Sequence, residues 1–160
     1  MAPSIHASAV LVGAHAVLIQ GPSGSGKSRL ALALIQSAGQ GLLRFARLVA
    51  DDRALVEAVH GRLLVRPVPA LAGLIEVRGL GIRRMEHEQV ARVGVLVELA
   101  ASDAERLPAR DPTQAVLEGV SLPRLAVAPR ADPLALVLAA LRTSAEPAGP
   151  APTDGVKIAG

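Results

Sequence analysis

Apolar positions along the chain come in short runs separated by glycine-rich breaks. Ser8–Val12 and Ala16–Gln20 flank Gly13-Ala14-His15 and predict two strands of a hairpin. A Gly/Ser-rich loop, Gly21–Ser28, follows directly. From Ser28 to about Ser37 the pattern becomes helical, with Leu30, Leu34 and Ile35 on one stripe, and the glycines from Gly39 to Gly41 end it. Leu48-Val49-Ala50 predicts a short strand running into Asp51-Asp52. Ala54–Val59 and Leu63–Val68, joined by His60-Gly61-Arg62, predict a second hairpin.

Further on, Leu71–Val77 is an apolar segment that enters the turn-rich stretch Arg78-Gly79-Leu80-Gly81. Val93–Leu99 predicts a buried strand and Leu125–Val127 a short one. Asp132-Pro133 is a helix start, with a side-chain acceptor at the cap and a proline ring in the first turn, and that helix is expected to run to about Arg142. Strands and helices mixed in this way predict an α/β domain over residues 1–142. The hairpins favour a mixed sheet with flanking helices over a purely parallel one. Residues 143–160, rich in Pro, Gly and Ala, predict a disordered tail.

The break between the first hairpin and the first helix carries chemistry. Gly21-Pro22-Ser23-Gly24-Ser25-Gly26-Lys27-Ser28 satisfies G-x-x-x-x-G-K-[ST] at every fixed position, in a strand–loop–helix setting. Its glycines let the backbone curl so that successive N–H groups face a phosphate. The helix turns its positive end to the same anion. Lys27 supplies a mobile cation, and the Ser28 hydroxyl can ligate Mg2+. These features predict an ATP-type nucleotide with magnesium.

Two acidic segments extend the candidate site. In a phosphoryl-transfer centre, one carboxylate after a buried strand holds magnesium and another accepts a proton from the attacking hydroxyl. Asp51 and Asp52 are adjacent and so face opposite ways, which predicts different roles for them. Glu76 and Arg78 offer a magnesium ligand and a phosphate counter-charge beside Gly79 and Gly81. His6, His15, His60 and His87 show no metal spacing and read, on their own, as surface residues.

Composition narrows the function classes. The net charge is only +3, and the chain has no Trp, no Tyr and a single Phe, so stacking platforms for nucleic acid are missing and loose nucleobase discrimination is expected. No apolar stretch reaches membrane-spanning length and no secretory signal is visible. The absence of cysteine rules out disulfides and thiolate metal sites and fits the cytoplasm.

Taken in order, the segment from His6 through the phosphate loop, the run Leu48-Val49-Ala50-Asp51-Asp52-Arg53 and the run Leu74-Ile75-Glu76-Val77-Arg78-Gly79-Leu80-Gly81-Ile82 resemble the catalytic domain of the HPr kinase/phosphorylase family. The last of these resembles the family signature, which generic P-loop proteins lack. Glu105-Arg106-Leu107 resembles a later family motif. The resemblance implies a PEP carboxykinase-like α/β fold and transfer of phosphate from ATP to a serine of the phosphocarrier protein HPr. It also implies roles: Lys27 and the loop for the nucleotide phosphates, Ser28 and Glu76 for magnesium, Asp52 for the proton of the HPr serine with Asp51 able to exchange places, His6 to tune that acid, and Arg78 and Arg106 for phosphate charge.

The chain also departs from the family pattern. It is expected to be a short form that begins at the catalytic domain. About seven extra residues precede Asp51. Ala126-Val127-Ala128-Pro129-Arg130-Ala131-Asp132 stands where the family has a loop tied to phosphorolysis, so kinase activity is expected and phosphorylase activity is placed in doubt. A homo-oligomer is compatible with the resemblance. A small-molecule kinase and a non-catalytic nucleotide sensor are the competing readings.

Overall fold

The computed structural model describes residues 2–105 and 114–144. Its strands are β1 (Ser4–Ile5), β2 (Ser8–Val12), β3 (His15–Gln20), β4 (Ala46–Ala50), β5 (Ala54–Val59), β6 (Arg62–Pro67), β7 (Leu74–Val77), β8 (Gly81–Arg84), β9 (Ala91–Glu98), β10 (Gln114–Leu117) and β11 (Val120–Ala126). Two helices, α1 (Lys27–Gly39) and α2 (Pro133–Arg142), and a 3-10 turn at Pro69–Leu71 complete the described chain. No helix among the described residues is long and apolar enough to cross a membrane.

The main sheet runs β1-β5-β6-β9-β3-β2-β4, and β11 adds to β9 with β10 beside it. It is mixed, as predicted: β3 and β11 are both parallel to β9, while the hairpins β2–β3 and β5–β6 are antiparallel. β7 and β8 form a separate two-stranded ribbon.

β3 explains why its sequence is apolar without alternation: both of its faces are buried. Ala16 and Leu18 pack with Val49, Val56, Leu63, Val65, Leu96 and Leu122 on one side. Val17 and Ile19 pack with Leu30 and Leu34 of α1 and Val137 of α2 on the other. A strand buried on both sides needs a continuous apolar run. It therefore makes a rigid stem for whatever follows Gln20.

Several element boundaries differ from the sequence expectation. α1 begins one residue earlier and continues to Gly39, because the stop is made by Gly41 at φ 80, where the backbone turns left-handed and Leu42 N donates to Ser37 O at 2.9 Å. The segment after Arg78 is a turn, as expected, but it returns as β8, with Glu76 opposite Ile82. All four β8 residues are exposed, so no apolar alternation marks this strand. β10 does alternate, with Ala115 and Leu117 half-buried against the core, but it is only four residues long. β11 is longer than the Leu125–Val127 reading because Pro123 lies within it, a residue that argues against a strand. α2 matches its prediction: Asp132 accepts from Leu134 N at 3.0 Å and Ala135 N at 3.4 Å, and Pro133 opens the helix. The predicted tail from Thr143 lies outside the described residues except for Thr143 and Ser144.

Candidate functional site

The site is assembled where β3 and β9, running parallel, deliver their C-terminal ends. Leu99 N donates to Gln20 O at 2.8 Å, tying the residue before the loop to the residue after β9. The loop then curls back on itself, with Gly24 at φ 79 and Gly26 at φ 98, conformations open to glycine. Gly21 is required for another reason. A β-carbon there would lie 2.5 Å from Ser25 Oγ and 3.0 Å from Leu99 Cβ.

Gly26 caps α1 without a side-chain acceptor. The first-turn amides of the helix thus keep their positive end for an anion. The Lys27 side chain is held close to the loop, its ammonium donating to Gly21 O at 3.0 Å and Pro22 O at 3.3 Å. Ser25 Oγ is buried and has no hydrogen-bond partner among the described residues. An unpaired buried hydroxyl costs about 1–3 kcal/mol, so a donor left waiting in a phosphate loop is what a phosphate oxygen would satisfy.

The acidic pair splits in two directions. Asp51 directly follows β4 at 7% exposure, and its Oδ1 accepts from Ser28 Oγ at 2.6 Å and from Ser8 Oγ at 2.7 Å. Its Oδ2 accepts the backbone N–H of Glu76 at 3.0 Å. Three elements, β2, α1 and β7, therefore meet on one carboxylate. Asp52 is exposed and sits at φ 64. It is anchored by its backbone: its N–H donates to Ser8 Oγ at 3.2 Å, and its carbonyl accepts from Ala7 N at 3.1 Å. His6 is the exposed residue just before Ala7, in the bend between β1 and β2.

Of the residues named from sequence, the structure brings together Gly21–Ser28, Asp51, Asp52 and Glu76, with His6 one residue from the Asp52 anchor. Arg78 is exposed on the β7–β8 turn and has no ion-pair partner within 4.0 Å among the described residues. Arg106 lies outside the described residues. Ser8 was not foreseen. Its only trace in the sequence is a polar residue opening an otherwise apolar strand, and it is completely buried.

Magnesium favours one or two carboxylates supplemented by phosphate and water over an all-protein cage. The donors present fit that habit. Ser28 and Asp51 are hard oxygen ligands beside the phosphate loop, Glu76 is held next to them through its backbone, and among the described residues no group of three or more His, Cys, Asp or Glu forms a closed metal cage.

Beside the loop lies a cavity of about 340 Å3, lined by Pro22–Ser25, Leu99, Ala100, Val127–Pro129, Ala131 and Pro133. Its side chains are aliphatic apart from the two loop serines, as the near-absence of aromatics foretold. Away from this lining, Arg124 donates to Glu98 Oε2 at 2.6 Å and to both carboxylate oxygens of Asp103 at 2.8 and 3.0 Å, tying β11 to the end of β9 and the turn after it.

Comparison with known proteins identifies the family and the fold. The family described as HPr Serine kinase C-terminal domain matches residues 1–131. An HPr kinase/phosphorylase of Streptococcus thermophilus is 45% identical over 80 residues, covering 49% of this chain and 24% of the relative. One from Clostridium tetani is 40% identical over 84 residues, covering 51% of this chain and 25% of the relative. The chain thus spans about a quarter of the length of these relatives. The solved structure of the Hpr(Ser) kinase/phosphatase from Coxiella burnetii superimposes with a TM-score of 0.69 over 88% of each chain at 23% identity, which shows a shared fold.

Proposed function

The chain belongs to the HPr serine kinase C-terminal domain family, and from that premise we propose that it is an ATP-dependent protein-serine kinase whose acceptor is the phosphocarrier protein HPr. The observation that carries this reading is the carboxylate of Asp51 bonded at 2.6 Å to the last serine of the phosphate loop. That contact joins a nucleotide-phosphate cradle to an acidic centre.

The loop amides and Lys27 hold the β- and γ-phosphates, and Ser25 Oγ adds a donor. Ser28, Asp51 and Glu76 would hold Mg2+, which offsets charge on the transferring phosphoryl group when bound. Asp52, exposed at the rim, accepts the proton of the incoming serine hydroxyl, and His6 tunes it from the neighbouring bend. The aliphatic cavity beside the loop receives the nucleoside and offers little to tell one base from another. Arg78 and Arg106 balance phosphate charge. Phosphorolysis is not part of the proposal, since the segment over residues 126–132 departs from the family pattern tied to it.

The test is transfer of labelled phosphate from ATP to purified HPr. Asp52→Asn is expected to lower the rate by about 10²–10⁴-fold and to leave nucleotide binding by calorimetry nearly unchanged. A rate unaffected by this substitution removes Asp52 from the chemistry. A second reading is a nucleotide sensor without transferase activity, which the Gly21–Ser28 loop with its inward-held Lys27 would support by itself. Nucleotide binding with no labelled HPr at any enzyme concentration would select it.

A further inference from the structure

We infer that the cleft where β9 changes partners is a second anion site, built for a small ligand carrying a phosphate group. β9 pairs with β6 through Ala91 and Arg92 and with β11 only from Leu96 onward. Between these two ladders its register against β3 shifts, with Ala16 opposite Val93 but Val17 opposite Val95. Gly94 is the extra residue, and the starts of β6 and β11 part around it. A cavity of about 210 Å3 remains, lined by His15, Gly61–Leu63, Arg92–Gly94 and Val120–Pro123.

The charge in this cleft is of one sign. Arg92 lies opposite Leu64 in the antiparallel ladder, so Arg62, two residues along, shares its face as a diagonal neighbour. Two guanidinium groups at that spacing repel each other. Neither has a carboxylate within 4.0 Å among the described residues, so nothing in the cleft offsets their charge. His15 packs across Gly94 so closely that a β-carbon there would lie 2.7 Å from its Cβ. The glycine thus makes room for an imidazole beside the two arginines, while the Ser121 hydroxyl on the same cavity wall donates to Gln114 Oε1 at 2.9 Å and leaves recognition to the cationic side chains.

Guanidinium groups recognise phosphate oxygens in pairs, and a dianion relieves the repulsion that the fold otherwise bears. The cleft is at the N-terminal ends of β3, β9 and β11, roughly 15 Å of strand away from the phosphate loop at about 3.3 Å per residue, so it is a separate site from the nucleotide cradle.

The experiment is a titration of the full chain, labelled with 15N, with inorganic phosphate, glycerol phosphate and, as control, sodium chloride. It is run in the wild type and in Lys27→Ala, which disables the loop. Saturable shifts of the Gly61, Gly94 and Ser121 amides are expected with both phosphates, at unchanged midpoint in Lys27→Ala. Arg62→Gln and Arg92→Gln, each at an exposed position, should each weaken binding by about tenfold. Tighter binding of the ester would identify a phosphorylated metabolite as the ligand, and equal binding would identify free phosphate. Shifts matched by chloride, shifts confined to Gly21–Ser28, or saturation indifferent to both arginine substitutions would overturn the inference. Since the Lys27→Ala arm isolates this cleft, failure here leaves the kinase proposal standing.

Discussion

Ser8 and Asp51 stand 43 residues apart in sequence and share a buried hydrogen bond of 2.7 Å. The same serine oxygen accepts the N–H of Asp52 at 3.2 Å. One hydroxyl on β2 therefore fixes both acids of the site, one through its carboxylate and one through its backbone. Ser8→Ala is expected to cost about 1–3 kcal/mol of stability, because it leaves an amide and a carboxylate oxygen short of a partner. It should also slow phosphate transfer. Urea unfolding and the transfer assay check the two effects, and a variant as stable and active as the wild type would remove Ser8 from the site.

Asp51→Asn tests the junction of three elements. The amide keeps the shape of the carboxylate but loses charge toward Ser28 and toward magnesium. Nucleotide affinity measured with magnesium should drop, while affinity measured in a chelator should not. Equal losses in both conditions would mean that Asp51 is purely structural.

Gly21→Ala and Gly24→Ala separate two reasons for glycine in one loop. At Gly21 the new methyl meets Ser25 Oγ and Leu99 Cβ; at Gly24 it meets nothing within 4 Å, and the cost is the left-handed backbone alone. Overpacking at Gly21 is expected to cost about 1–3 kcal/mol. It should also shift nucleotide affinity more than Gly24→Ala does. Thermal melts and calorimetry on the pair provide the comparison.

Arg124→Met probes the ion-pair cluster that ties β11 to Glu98 and Asp103 and its response to acid. The Arg124 hydrogen bond holds the Asp103 carboxyl below its ordinary range. A lowered carboxylate contributes stability that is complete above its unfolded value and is lost as pH falls through the folded one. The stability gap between wild type and Arg124→Met should therefore narrow on going from about pH 6 to about pH 3. Urea midpoints across that range would show it, and a constant gap would argue that the arginine acts by packing.

Asp132→Ala removes the cap of α2, whose first residue, Pro133, lines the cavity beside the Gly21–Ser28 loop. A loss of about 1 kcal/mol is expected in thermal unfolding. Gly in place of Ala at this position should cost less.

Much of this was legible in the chain because local rules and tertiary needs agreed. The curled loop over Gly21–Ser28, both helices and the hairpin β5–β6 follow from glycine placement, caps and apolar runs. The mixed sheet followed from seeing hairpins beside a P-loop. What stayed hidden was set by partners distant in sequence. Ser8 shows its importance only once β4 lies beside β2. The choice of Asp51 over Asp52 as the acid facing Ser28 depends on which residue the end of β4 turns inward. β8 has all four residues exposed, and β10, though Ala115 and Leu117 pack on the core, is only four residues long, so neither stands out from a loop. The arginine clamp at Arg124 joins residues that no spacing rule connects.

The positive φ of Asp52 has a bearing on how its role can be tested at all. A left-handed backbone filters side chains before any chemistry is asked of them: Asn and Gly enter freely, while β-branched residues pay in strain. A scan of this position would rank substitutions partly by conformational tolerance and so misattribute folding defects to lost basicity. Asparagine, which keeps both the shape and the handedness, is the replacement whose effect can be assigned to the proton.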